Sequence, residues 1–258
     1  AYWKFINSAS PLPNASESSA SLTTNADAVI SGMTFGTASP FGTEGVFDGS
    51  NDQLTIGTST SQFDFMHKAG AEWTVCFWLQ QNQPASETDA GIFNTSDSAW
   101  FNQNVGMNIV TLGSGTKLRM NVNKGGSQGD VAYLVTSVDY IPDQAWHFYC
   151  VTYDHSLGSN NFKITIDTDD LEQGTKSGET PSTSSAFQAA LIGQQTAGAD
   201  AWVDGSLTEM SVWNRVLTSG EIDDLWNEGD GTAIYTPTAL NLPNGTIFNE
   251  TDTYKYFM

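Results

Sequence analysis

Apolar and polar residues alternate along most of this chain in short runs, broken by Gly, Asn, Asp and Ser. The fullest pattern covers residues 203–226, VDGSLTEMSVWNRVLTSGEIDDLW. Asp204-Gly205 is a turn signal, because glycine takes positive φ freely and aspartate bonds its own backbone. Leu207, Glu209, Ser211 and Trp213 then alternate with Thr208, Met210, Val212 and Asn214, which is the period of a strand. Thr218-x-x-Glu221 is a capping box, in which hydroxyl and carboxylate each satisfy a free backbone N–H. Ile222, Leu225 and Trp226 follow at i, i+3, i+4 on one face of a short helix, which Gly229 stops as its C′ residue.

The same reading extends through the chain. Residues 2–6 alternate and predict a first strand. Residues 8–28, rich in Ser, Ala, Thr and Asn, predict a long surface loop. Residues 46–56 (VFDGSNDQLTI) predict strand, turn, strand, and residues 72–80 (EWTVCFWLQ) a strongly apolar central strand. Further strands are predicted at 90–93, 105–112, 117–122, 146–153 and 162–166, the last entering a turn at Asp169-Asp170. Residues 189–193 lead back to the closing strand. About a dozen short strands with polar turns and one helix predict an all-β, two-sheet antiparallel sandwich with one short C-terminal helix. No internal repeat is visible. The tail from Thr236, with Pro237 and Pro243, lacks periodicity, so the expected division is a domain over 1–235 and a tail over 236–258. Tyr254, Tyr256 and Phe257 give that tail a means of docking on the body.

The closing stretch resembles the end of laminin-G-like and pentraxin-like jelly rolls, the concanavalin A-like lectin/glucanase fold. Those domains close with D-G-x-(I/L)-x-E-h-x-h-(W/Y)-N-R-x-L-(S/T)-x-x-E-I, where h is apolar. Asp204, Gly205, Leu207, Glu209, Met210, Val212, Trp213, Asn214, Arg215, Leu217, Thr218, Glu221 and Ile222 match it here. VFDGSNDQLTIG looks like the early laminin-G-like strand pair. EWTVCFWLQ and AWHFYCVTYD look like two adjacent pentraxin strands, each carrying a Cys. The resemblance runs over roughly residues 45–229. It implies a concanavalin A-like jelly roll and does not specify a function, because such folds host many.

Composition narrows the classes. An apolar fraction of 39% with 8 Trp and 14 Phe supports a sizeable core. The 9 basic residues against 29 acidic ones give a net charge of −20, which argues against nucleic acid and anionic membrane surfaces as partners. The acidity suits solubility, in salty water included, or a cation-binding surface. No run of 18 apolar residues predicts a transmembrane helix. No secretory leader pattern opens the chain, which starts without Met.

Cys76 and Cys150 each fall inside a predicted strand. Two free buried thiols and an inter-strand disulfide both fit that placement. The pentraxin-like positions imply the bridge, and with it an extracellular, cell-surface or virion-surface location.

Enzymes of this fold are most often glycoside hydrolases. Laminarinase-like members set two Glu and an Asp on one strand, spaced E-x-D-x-x-E or with one more residue, so that all three point into a cleft. The nearest match, Glu221-Ile222-Asp223-Asp224-Leu225-Trp226, lacks the second Glu and lies on the helix, where Glu221 reads as a cap. Arg119 and Arg215 are the only arginines, too few for a sialidase-type cluster. Of His67, His147 and His155, only His147 has a counterpart in the resemblance, a structural one. No nucleophile elbow, phosphate loop or metal-binding His pair is present. No catalytic residues are predicted, and the expected protein is not an enzyme.

A structural calcium ion has two candidate ligand groups: Asp48, Asn51 and Asp52 in FDGSND, and Asp204 with Glu209 on the closing strand. The resemblance places the first and last strands close together, so one ion could bridge both groups; ordinary Asx turns are the alternative. The chain departs from the relatives' calcium patterns. WFNQN supplies Asn102 and Asn104 but no Asp, residues 193–197 (GQQTA) supply no acid, and Thr208 stands where glucanases place an Asp.

Sugar sites pair an aromatic face with amide or carboxylate groups. Trp100, Phe101, Asn102 and Asn104 share one predicted loop, and Asp200 and Trp202 another. The resemblance puts both loops on one concave side. That predicts stacking from Trp100 and Trp202, with hydrogen bonds from Asn102, Asn104, Gln194 and Asp200; the alternative is that both Trp cover the core. The resulting expectation is a non-catalytic extracellular glycan-binding or adhesion module whose partner is a glycan or glycoprotein surface. A self-assembling structural or decoration protein of a virion, fibre or cell-surface layer is the alternative, and a glycoside hydrolase is the second alternative.

Overall fold

A computed structural model describes residues 2–3, 5, 27–82, 90–96, 105–112, 117–123, 131–135, 144–167, 169–174, 182, 184–194 and 202–231. The strands in chain order are β1 Tyr2–Trp3, β2 Ala28–Ser31, β3 Thr34–Gly36, β4 Glu44–Asp48, β5 Gln53–Ile56, β6 Glu72–Gln81, β7 Ala90–Asn94 and β8 Gly106–Leu112. They continue with β9 Lys117–Asn123, β10 Val131–Val135, β11 His147–Asp154, β12 Phe162–Ile166, β13 Asp169–Gly174, β14 Ala190–Ile192 and β15 Asp204–Trp213. Helix α1 spans Ser219–Trp226. One sheet runs β13-β12-β11-β6-β15-β4-β3, with β1 added along β15; the other runs β10-β9-β8-β7-β14-β5-β2. This is the two-sheet antiparallel sandwich that the alternation predicted, in the jelly-roll form that the resemblance implied.

The apolar run of β6 has a physical reason. Trp73, Val75, Phe77 and Leu79 point into the core between the sheets, while Cys76 and Trp78 point outward. The outer side is covered too: α1 lays Ile222 over Cys76, Trp78, Phe148 and Cys150. A strand buried on both faces loses its polar alternation. Strand β11 shares the pattern, with Tyr149, Val151 and Tyr153 inside.

The capping box forms as predicted. Thr218 Oγ1 accepts from Glu221 N at 3.3 Å, and Thr218 N donates to Glu221 Oε2 at 2.8 Å. Arg215 adds a bidentate pair to the same carboxylate at 2.8 and 2.7 Å. The Arg215 guanidinium and the Thr218 N–H hold the Glu221 carboxyl down to about 2. The helix stops earlier than expected, at Asn227 in the left-handed region (φ 48°), because a short amide side chain stabilises that conformation. Gly229 ends the 3-10 turn that follows.

Other expectations need correction. Asp204-Gly205 is not a turn; both residues already lie in β15, opposite Asp48 and Phe47 of β4. The glycine is required because a Cβ there would sit 2.3 Å from the Gln80 carbonyl oxygen. Asp169-Asp170 lies in β13, and the turn comes before it at Asp167 (φ 47°), whose Oδ1 accepts from Phe148 N at 2.8 Å. Strands β4 and β5 belong to different sheets, so FDGSND arches between layers instead of closing a hairpin. The predicted 8–28 loop gives way to β2 at Ala28; residues 6–26, and the tail at 236–258, lie outside the described residues.

Candidate functional site

Where β4 ends and β15 begins, four stretches of chain are tied together at one end of the sandwich. Asp48 pairs with Asp204 across the β4–β15 ladder. Asp48 Oδ1 accepts from Ser50 N at 2.9 Å, and Asp52 Oδ2 accepts from Asp48 N at 2.8 Å, which shapes the arch. Gly49 N donates to Val203 O at 3.0 Å, and Val203 N to Gly193 O at 2.8 Å. Asn82 Nδ2 donates to Asp204 Oδ1 at 3.0 Å, and Gln194 bridges to Trp202. Gly193 (φ 88°) lets this crossing close, since a Cβ there would lie 2.3 Å from the Phe47 ring. The rim so built exposes Asp48, Asn51 and Asn82, half-buries Asp204 and Trp202, and buries Asp52. Burial lifts the Asp52 carboxyl above its usual range, against the pull of the Asp48 N–H.

The five candidate calcium ligands do not form one coordination sphere. Asp48, Asn51, Asp52 and Asp204 share the rim, but Glu209 lies five positions further along β15, roughly 16 Å away at strand rise. It sits at a bulge (φ 49°), buried, where it accepts the Tyr2 hydroxyl. On the rim, Asp48 Oδ1, Asp52 Oδ2 and Asp204 Oδ1 are already held by Ser50 N, Asp48 N and Asn82 Nδ2, and Asp52 Oδ1 lies against the Gly32 turn. Among the described residues, no three His, Cys, Asp or Glu side chains gather as a metal site. Thr208, where glucanases carry an acid, donates to Thr43 O at 2.9 Å, an oxygen that Ser39 also reaches at 2.6 Å.

Of the candidate sugar contacts, Trp202 stands on the rim. Gln194 is 1% exposed and serves as its stem, with its carbonyl accepting from Asn94 Nδ2 at 2.9 Å. Trp100, Asn102, Asn104 and Asp200 lie outside the described residues. The stems of their two loops leave opposite ends of the β7–β14 pair. Leu191 faces Asn94 in an antiparallel ladder, so Gln194 falls beside Gly91, while residues 96 and 105 flank the other end. Asn82 was missed by sequence reasoning; its signal is only a polar residue directly after the β6 run.

Cys76 and Cys150 face each other in the β6–β11 register, with sulfurs 2.7 Å apart and both thiols buried and unbridged. Each histidine has a local partner: His67 the Ser184 carbonyl at 3.0 Å, His147 the Asp167 carboxylate, and His155 the Tyr153 hydroxyl at 3.1 Å.

Residues 48–223 match the Concanavalin A-like lectin/glucanases superfamily. No curated protein sequence matches the chain. Among solved structures, the receptor-binding domain of botulinum neurotoxin D is similar with a TM-score of 0.62 at 12% identity, over 88% of this chain and 52% of that one. The binding domain of botulinum neurotoxin DC in complex with SialylT gives 0.54 at 14%, over 78% of this chain and 47% of that one. Domain 4 of an extracellular arabinanase from Geobacillus stearothermophilus, in complex with arabinotriose, gives 0.53 at 14%, over 78% and 82%. The chain spans about half the length of the neurotoxin domains it matches, and at these identities the likeness is one of fold.

Proposed function

Starting from a chain that belongs to the Concanavalin A-like lectin/glucanases superfamily, we propose that it is a non-catalytic, extracellular glycan-binding module that binds through the Trp202 rim. The observation that carries this reading is the rim's makeup. Trp202, half-buried and two residues before Asp204, shares a rim with Asp48, Asn51, Asn82 and Asp204, of which Asp48, Asn82 and Asp204 are held by hydrogen bonds at strand ends. An indole face takes the C–H side of a sugar ring, and carboxylates and amides take its hydroxyls. Two structural relatives were solved with a SialylT ligand and with arabinotriose, which supports a saccharide as the partner. Glu221, the one near match to a hydrolase carboxylate motif in the sequence, is a helix cap whose carboxyl Arg215 and Thr218 hold ionised, so it does not supply the proton of a general acid near neutral pH.

A glycan array with wild type and Trp202→Ala tests this. Wild type is expected to retain at least one oligosaccharide without cleaving it, and Trp202→Ala to bind it about tenfold more weakly, the value of one aromatic stacking contact. Glu221→Gln is expected to leave binding unchanged. Retention that survives loss of Trp202, or release of shorter sugars, would contradict the proposal.

A further inference from the structure

We propose that His67 is a proton-operated latch. Neutral, it pins the strap formed by Ser182 and residues 184–188 across the end of β7 and the start of β8; protonated in acid, it lets the strap go. His67 follows the short 3-10 turn Asp64–Met66 and is 1% exposed. Its Nε2 lies 3.0 Å from the Ser184 carbonyl oxygen. A carbonyl oxygen only accepts, so Nε2 carries the proton and Nδ1 the lone pair. Nδ1 is buried and has no hydrogen-bond partner.

The strap hangs on this turn. Ser182 N donates to His67 O at 3.2 Å. Ala186 N is shared between Thr60 O at 3.1 Å and Asp64 Oδ1 at 3.3 Å, and Ser185 Oγ donates to Asp64 Oδ2 at 3.3 Å. Further on, Phe187 N donates to Val105 O at 2.8 Å and Gln188 N to Thr95 O at 3.1 Å, while Gln188 Nε2 reaches Ser96 O at 3.1 Å. Apolar burial adds little: Ala186 is covered, but Phe187 is 50% exposed. A segment held by hydrogen bonds over so small an apolar contact opens well before the core does.

A second proton would sit on Nδ1, where no acceptor waits, and would charge a buried ring. Among the described residues, the charges acting on that ring are Asp64, with Oδ1 3.7 Å from Nε2, and Lys68, which is paired with the same carboxylate. The strap brings Ser182, Ser184 and Ser185, none charged. Strands β6 and β8, packed against the turn, face inward with Trp73, Met107, Ile109 and other apolar residues. Burial prevails over Asp64 and holds the ring below the ordinary histidine range near about 6.5, the value a released ring regains. The closed strap therefore has its full stability above that ordinary value and loses it as pH falls toward the lowered one.

NMR hydrogen exchange on the Ala186, Phe187 and Gln188 amides tests the latch at about pH 7.5 and about pH 5, with rates corrected for the intrinsic pH dependence of exchange. In wild type these amides are expected to lose about tenfold in protection in acid, the equivalent of one pK unit, while the ladder amides of β6 and β11 keep theirs. His67→Gln, which keeps an N–H for Ser184 O but takes no charge, is expected to hold the strap at both pH values. In wild type alone, the loss is expected to track the titration of the His67 ring, followed in the same spectra. Strap protection indifferent to pH, a loss shared equally by β6 and β11, an equal loss in His67→Gln, or a ring titration that does not track the loss would each overturn the latch.

Discussion

Oxidised protein is expected to melt roughly 10 °C above reduced protein, through a Cys76–Cys150 bridge. The two residues are direct partners in an antiparallel ladder, where opposed Cα atoms lie roughly 4.5–5.5 Å apart, a span that disulfides accept. Their separation of 74 positions would close a long loop, worth about 4.4 kcal/mol in the chain-entropy model. In a chain of this size each kcal/mol shifts melting by about 2–4 °C, and removing a native bridge typically costs about 2–5 kcal/mol. Burial pushes the Cys76 thiol well up, so the reactive thiolate is scarce once the sheet has closed. The bridge is therefore expected to form during folding in an oxidising medium, and reductant to act on it slowly without denaturant. Alkylation in denaturant followed by intact mass reads the state directly. Two alkylated cysteines in protein secreted without reductant, with melting indifferent to reduction, would remove both the bridge and its support for an extracellular site.

Trp3→Ala is expected to cost about 3–5 kcal/mol, the range for emptying a buried tryptophan site. Chain ends usually fray and tolerate change. Here the second and third residues pair with Ser211 and Met210 of β15, and Trp3 is 0% exposed. Its indole leans on Phe63 (centroids 6.5 Å apart), and Phe63 meets Phe93 of β7 edge-on at 5.3 Å. Strand β1 thus starts an aromatic path that crosses the core from one sheet to the other. Phe5 adds to it, packed against Gly45 so closely that a Cβ there would fall 2.6 Å from the ring. Urea unfolding measures the loss, and removal of residues 1–5 is expected to cost at least as much. A change below about 1 kcal/mol would mean that β1 is not part of the body.

What was legible in the chain follows from how local each signal is. The capping box is written within four residues, and both faces of β6 declare themselves in one apolar run. Asp204-Gly205 misled because the same dipeptide serves a turn and a close backbone approach, and the deciding neighbour, Gln80, is remote in sequence. The strands missed, β2, β3, β10 and β13, are the four ends of the two sheets. An edge strand is paired on one side only and needs less apolar alternation, as DDLEQG in β13 shows. The exception is β10 (VAYLV), apolar enough to have been read. At the site, the approach of Asp48 to Asp204 was foreseen from the resemblance. Glu209 was wrongly grouped with them because a strand's length was ignored. The divergence of the two loop stems follows from the antiparallel pairing of β7 and β14, which sequence alone did not show to be neighbours.

The central claim is that a glycan seats on the Trp202 rim. Hydrogen–deuterium exchange with and without the oligosaccharide that binds most tightly on the array locates it directly. Protection is predicted in peptides covering residues 46–53, 80–82 and 193–205, and exchange over α1 and its outer aromatic face around Trp146 and Trp226 is predicted not to change. Protection on that outer face, with the rim unaffected, would contradict the account.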